Sequence, residues 1–262
     1  MQSSAISKVW HSDVKPVLRN LIGGLILSVS MIGLEMLVPF GLLGVLAYGA
    51  IEFVFFSKRV NLKKRRKTLV PKMQELGFIY GGEEGSFEDL GIAVDPLGVG
   101  GRVLDNFRKK IDGGEVLIFD FAASQFVSNG SRSGGKAEYR FTVVAFKRKN
   151  WSLPKFIATR QTLTANLQKI TGVKDVDFKE DPEFSKTILL QAKDSEHLRE
   201  VFDENVRGVL THRADWAVQG EDDWLLAFKT TGFTKTDEMQ AYWSDALGFY
   251  YAFAGMAEDD AG

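Results

Sequence analysis

Any chemistry in this sequence must be done without thiols and with few imidazoles. The 262 residues contain no cysteine, which removes a thiolate nucleophile, a disulfide framework and Cys-ligated zinc. The 3 histidines, His11, His197 and His212, are too few for a multi-imidazole metal site. His197 falls in the first turns of an expected helix and His212 just past its expected end, both ordinary surface positions for imidazole. No serine stands in a nucleophile-elbow context. Gly98, Gly100 and Gly101 invite a phosphate-loop reading. A Walker loop, however, ends in Gly-Lys-Ser/Thr, and a dinucleotide fingerprint needs a third glycine where Val103 stands. A plain turn is the simpler account. Asp175, Asp177, Glu180, Asp181 and Glu183 supply the acids of a calcium loop but not its glycine at the sixth position. Val176 and Phe178 alternate with Asp175 and Asp177, as in a strand with one wet face. Glu221-Asp222-Asp223 reads as a solvated hairpin tip. We therefore expect no recognisable catalytic, cofactor-binding or metal-binding residue and name no cofactor. Nothing in the sequence selects a pair of carboxylates for hydrolysis.

Two stretches could make contacts rather than chemistry. Lys58, Arg59, Lys63, Lys64, Arg65, Arg66 and Lys67 form a basic run suited to anionic lipid headgroups, and equally to marking the cytoplasmic end of a membrane span. A net charge of −1 excludes the whole-chain basic excess of a dedicated nucleic-acid binder. Near the other end, Tyr242, Trp243, Phe249, Tyr250 and Phe253 recur at helical spacing, with Met239, Ala246 and Tyr251 widening the stripe. Such a stripe is a candidate partner surface, and packing across a sheet explains the same spacing.

The elements that position these residues begin with a segment from Leu21 to Phe56 that carries no Lys or Arg. As one helix it would run to roughly 54 Å at 1.5 Å per residue, against a hydrocarbon core of about 30 Å. It must therefore fold back. Glu35, followed by Pro39, marks the turn, because a carboxylate is tolerated at a helix end far better than at mid-bilayer. Two arms result, at about residues 17–34 and 37–56. Lys8, Lys15 and Arg19 precede the first, and the basic run follows the second. Basic flanks with an uncharged-to-acidic turn place both termini in the cytoplasm by the positive-inside rule. The expectation is a multi-pass protein of the inner (plasma) membrane, with an N-terminal tail at 1–16, a transmembrane hairpin at 17–57 and a basic juxtamembrane helix at 58–76. A cytoplasmic domain at 77–256 and an acidic tail at 257–262 complete the chain. A re-entrant hairpin that never crosses is the alternative.

From Gly77 the texture is that of a soluble domain. Gly81, Gly82 and Gly85 read as a loop. Residues 102–111 read as a strand leading to the turn at Asp112-Gly113-Gly114. Strands at 116–121 and 139–146 are joined by a polar, Gly/Ser-rich linker. Beyond Trp151 we expect a strand at 156–160, a helix at 162–170 and strands at 176–178 and 185–192, with Asp181-Pro182 as a turn. One helix capped by Asp194-Ser195 has an apolar face from Leu198 to Leu210. Strands at 215–219 and 224–229 and a helix at 236–256 complete an α+β domain with a mainly antiparallel sheet and interspersed helices.

Three short elements carry a resemblance. Phe119-Asp120-Phe121, Leu153-Pro154-Lys155-Phe156 and Asp181-Pro182-Glu183-Phe184, with Trp224-Leu225-Leu226 downstream, match in order a group of two-span bacterial membrane proteins. In that group an F-D-[FY] element sits on a β-hairpin and is followed by L-P-x-F and D-P-E-F segments. The chain resembles this group from about Gly114 to Phe228. The resemblance implies a shared architecture with a cytoplasmic domain, and the group brings no activity to assign to any residue. The resulting expectation is a membrane-tethered module that binds a protein partner or helps organise a membrane complex. The bilayer and another membrane protein are its partners, and no nucleic acid is expected. The alternatives are a membrane-anchored hydrolase or transferase with a site invisible in sequence, and an anionic-lipid-sensing or membrane-shaping protein.

Overall fold

The computed structural model describes residues 62–92, 94, 96, 100–127, 135–161 and 173–255. The expected transmembrane hairpin, both tails, Lys58, Arg59 and the expected helix at 162–170 lie outside the described residues. The chain divides between Lys67 and Thr68 into two units. Of the first, residues 62–67 are described, and they belong to helix α1, which is described over residues 62–75. The helix ends as the sequence suggests. Gly77, at φ +81°, lets the Phe78 amide reach the Met73 carbonyl at 2.9 Å and its own amide reach Gln74 at 2.9 Å.

The second unit is α+β. Its described strands are β1 (Ile79–Gly85), β2 (Arg102–Ile111), β3 (Gly114–Val127), β4 (Gly135–Lys147), β5 (Leu153–Arg160), β6 (Lys174–Asp175), β7 (Ile188–Ala192), β8 (Ala217–Asp222) and β9 (Trp224–Phe228). Its helices are α2 (Phe87–Leu90), α3 (Pro182–Thr187), α4 (Ser195–Val201), α5 (Glu204–His212) and α6 (Met239–Ala254). The nine described strands make one sheet in the order β1-β2-β3-β4-β9-β8-β5-β7-β6, every pairing antiparallel. The first four strands are a meander. The late hairpin β8–β9 then inserts between β4 and β5, joining the meander to the other half of the sheet.

Both faces of this sheet are apolar. On β3, Val116 and Ile118 point to the helical face, while Leu117, Phe119 and Phe121 point to the other. The unbroken run Val-Leu-Ile-Phe is the sequence signature of a strand covered on both sides. On the helical face, Leu69 and Met73 of α1, Phe184 of α3, Leu198 of α4 and the aromatic stripe of α6 share one core with the sheet. On the other face Phe87 packs against Phe119 and Phe121, at ring centroids 6.1 and 5.7 Å apart.

The local elements differ from expectation in several places, beginning with the strand expected at 176–178, which is instead the two-residue β6 at Lys174–Asp175. Gly81, Gly82 and Gly85 belong to an edge strand rather than a loop. The backbone approach explains this: a Cβ at Gly81 would overlap the Asn106 side-chain oxygen on the neighbouring strand. Residues 185–192 are not one strand, because Asp181 caps α3 and Pro182 occupies its first turn. Asp-Pro here opens a helix, as proline at that position does when a capping acid precedes it. The helix expected from Asp194 to Leu210 is two. Asp203 accepts the Val206 amide at 2.8 Å and starts α5 afresh, while Phe202 turns into the core.

Candidate functional site

Charged side chains converge on a surface cleft of about 510 Å³ among the described residues. Three separate pieces of chain build it. The first is the start of β5, where β5 carries one extra residue against β8 between Leu153 and Phe156. Pro154 lies in this bulge, and its missing amide cannot serve the ladder. The second is the β7–α4 junction. The Lys193 amide donates to the Lys155 carbonyl at 3.1 Å, and Asp194 caps α4 by accepting the amides of Glu196 at 3.1 Å and His197 at 3.2 Å. The third is the β8–β9 tip, whose Asp222 adopts φ +54° in the turn between the paired Glu221 and Trp224. Gly220 behind it is required, since a Cβ there would strike the Phe156 ring.

The cleft is lined by both signs of charge. Lys155 Nζ meets Glu221 Oε2 at 2.7 Å across it. Lys193 and His197 stand on one wall and Asp222 on the opposite one. The His197 imidazole has no hydrogen-bond partner among the described residues. The cleft offers charged groups for binding. Among the described residues no group of three or more His, Asp or Glu side chains is placed to hold a metal ion.

A second polar assembly lies inside the unit, on the helical face of the sheet. Thr142 Oγ1 donates to the buried Asp120 carboxylate at 2.7 Å and accepts the Thr234 amide at 3.0 Å. Tyr242 donates to the Thr142 carbonyl at 2.6 Å and accepts the Lys229 amide at 3.2 Å. Burial pushes the Tyr242 phenol far above its usual range, so it remains neutral and able to donate. Nearby, Tyr80 donates to Asp105 Oδ1 at 2.9 Å. Asp105 is the bulged residue of β2, at φ +44°. These groups pin strands, the segment after β9 and α6 to one another. Sequence reading missed Asp105 and Asp120 as buried acids. An aspartate in the middle of the otherwise apolar run Val116–Phe121 was the available signal.

Each element of the resemblance has a structural role. In Phe119-Asp120-Phe121 the rings fill one face and the carboxylate the other. In Leu153-Pro154-Lys155-Phe156 the apolar ends are buried and the middle forms the cleft. In Asp181-Pro182-Glu183-Phe184 the aspartate accepts the Phe184 amide at 3.0 Å and pairs with Arg207 Nε at 2.9 Å. The Arg207 hydrogen bond, with the Phe184 amide second, holds the Asp181 carboxyl below its ordinary value. The neighbouring Asp175 accepts from Gln191 at 2.7 Å, while Asp177, Glu180 and Glu183 are exposed.

The aromatic stripe faces inward. Tyr242, Trp243, Phe249 and Tyr250 are buried against the sheet and Phe253 is partly so, stacked on Phe156 at 5.7 Å. Trp243 meets Phe78 edge-on at 5.3 Å and Phe146 at 6.0 Å. In the basic run, Lys63, Lys64 and Lys67 are exposed, while Arg65 and Arg66 are half-buried. No helix among the described residues is long and apolar enough to cross a membrane. No protein-family model, curated protein or solved structure matches the chain.

Proposed function

We propose that this chain is a membrane-tethered cytoplasmic module that binds a protein partner within a membrane complex. The observation that carries the reading is the continuity of α1. The helix is described from residue 62, within the basic run, and continues to residue 75, with Leu69 and Met73 fully buried. Only 13 positions separate Phe56 from Leu69 in the sequence, and those described, 62–68, are helical. Because the domain is covalently continuous with the apolar stretch, insertion of that stretch would confine it to the neighbourhood of the membrane. The effective concentration of the domain for other membrane components rises accordingly.

The test is crosslinking in native membranes followed by purification of the full chain in detergent. The chain is expected to stay with the membrane fraction through a high-salt wash and to carry one protein partner in stoichiometric amount. Recovery in the detergent-free soluble fraction would overturn the tether, and a membrane-bound chain without a partner would overturn the binding role.

A further inference from the structure

The exposed side of α1 is basic: Lys63, Lys64 and Lys67 are all exposed there. Between Glu52 and Glu75 the sequence contains no carboxylate, so the nearest acid after the basic run is Glu75, eight positions beyond Lys67. The helical period divides that run. Leu69 and Met73, one turn apart and fully buried, define the core side of α1. At 100° per residue Arg65 and Arg66 fall on the flanks of that side, which agrees with their half-buried state. Both of them, and Lys63, already make interactions with the rest of the protein. Lys64 and Lys67 fall opposite the core, a turn apart and beside the exposed Pro71. Neither forms an ion pair or side-chain hydrogen bond among the described residues. The next lysine along the helix, Lys72, is answered by Glu75 at 3.1 Å.

We propose that Lys64 and Lys67 are the contact of this protein with anionic lipid headgroups. The proposal rests on the tethered reading above, which puts a bilayer surface within reach of the helix. Lys64 lies 8 positions beyond Phe56, at most about 28 Å even if fully extended. The ammonium group suits this partner: it is a compact charge on a long flexible stem, able to follow a fluid array of phosphates without fixed geometry. Attraction to an anionic leaflet is worth about 1 kcal/mol per lysine and fades within a Debye length of about 8–10 Å. Two outward lysines thus set a preference for the domain's pose rather than create the membrane attachment.

The experiment reconstitutes the full chain in vesicles of phosphatidylcholine alone and of phosphatidylcholine mixed with phosphatidylglycerol, then measures amine-reactive labelling of each lysine by mass spectrometry. Labelling of Lys64 and Lys67 is expected to be roughly fivefold slower in the anionic vesicles, the ratio that 1 kcal/mol sets, and to recover at high salt. The exposed Lys149 and Lys193 should label equally in both. Equal labelling of Lys64 and Lys67 in a chain that floats with the vesicles would overturn the headgroup contact while leaving the tether intact. A chain that fails to float overturns the tether as well. Protection by added nucleic acid, with none from anionic lipid, would assign the patch to a different partner and overturn the proposal.

Discussion

Tyr242 shows how much one polar atom can hold in place. Its hydroxyl joins β4, the segment leaving β9 and α6 through two backbone groups, and the phenol is almost wholly buried. Changing Tyr242→Phe keeps the ring against Trp216, 4.4 Å away, but leaves the Thr142 carbonyl and the Lys229 amide without that partner. The cost should be about 1–2 kcal/mol, read as a lower midpoint in chemical denaturation at neutral pH. The pH dependence has a definite sign. The folded-state pKa is raised, so between the ordinary tyrosine value of about 10 and the higher folded value the native state holds a proton that the unfolded chain releases. Wild-type stability therefore falls as pH rises above about 10. The gap between wild type and Tyr242→Phe should narrow there, and a constant gap up to the alkaline limit would refute this account.

Among the elements, the β3–β4 hairpin is the longest pairing, running in register from Glu115 opposite Lys147 to Val127 opposite Gly135. Next to its open end lies the β2–β3 turn at Asp112-Gly113, where Gly113 takes φ +73° and the Tyr250 hydroxyl donates to the Asp112 carbonyl. Gly114 begins β3 so close to its partner that a Cβ would collide with the Lys147 carbonyl, a backbone atom that cannot swing aside. Gly114→Ala should therefore cost about 1–3 kcal/mol. It should also raise amide exchange at the β2–β3–β4 root above that of β5 and β7; uniform exchange would argue against a local collision. Much of this level was legible in sequence. The β-branched and aromatic runs marked β3, β4 and β9, and the spaced apolar residues marked α6. The misread elements were those whose signals have two meanings. Asp181-Pro182 serves a turn or a helix start, and a glycine-rich stretch serves a loop or an edge strand pressed against its neighbour.

For the whole molecule, the order of strands has a kinetic consequence. The β8–β9 hairpin must insert between β4 and β5, contacts that join distant parts of the chain, so the sheet is completed only after its last hairpin forms. The proposed tether makes a separate forecast. A reporter that is active only in the cytoplasm, fused after Gly262, should be active, and one that needs export should be silent. The opposite pattern would invert the topology that charge asymmetry predicts.

The sequence by itself determined what depends on composition and short-range period. It gave the segregation of a long apolar stretch from a charged domain, the absence of thiol chemistry, and the α+β class. It also gave the capped start at Asp194 and the aromatic spacing of α6. Tertiary structure alone decided which way that stripe points, because period gives a face but not what covers it. It also decided that Asp105 and Asp120 are buried, and that residues 152–155, 193–197 and 221–222 meet in one cleft. These are long-range pairings, set by strand order across the sheet, and no local pattern of residues encodes the neighbour that a strand will find.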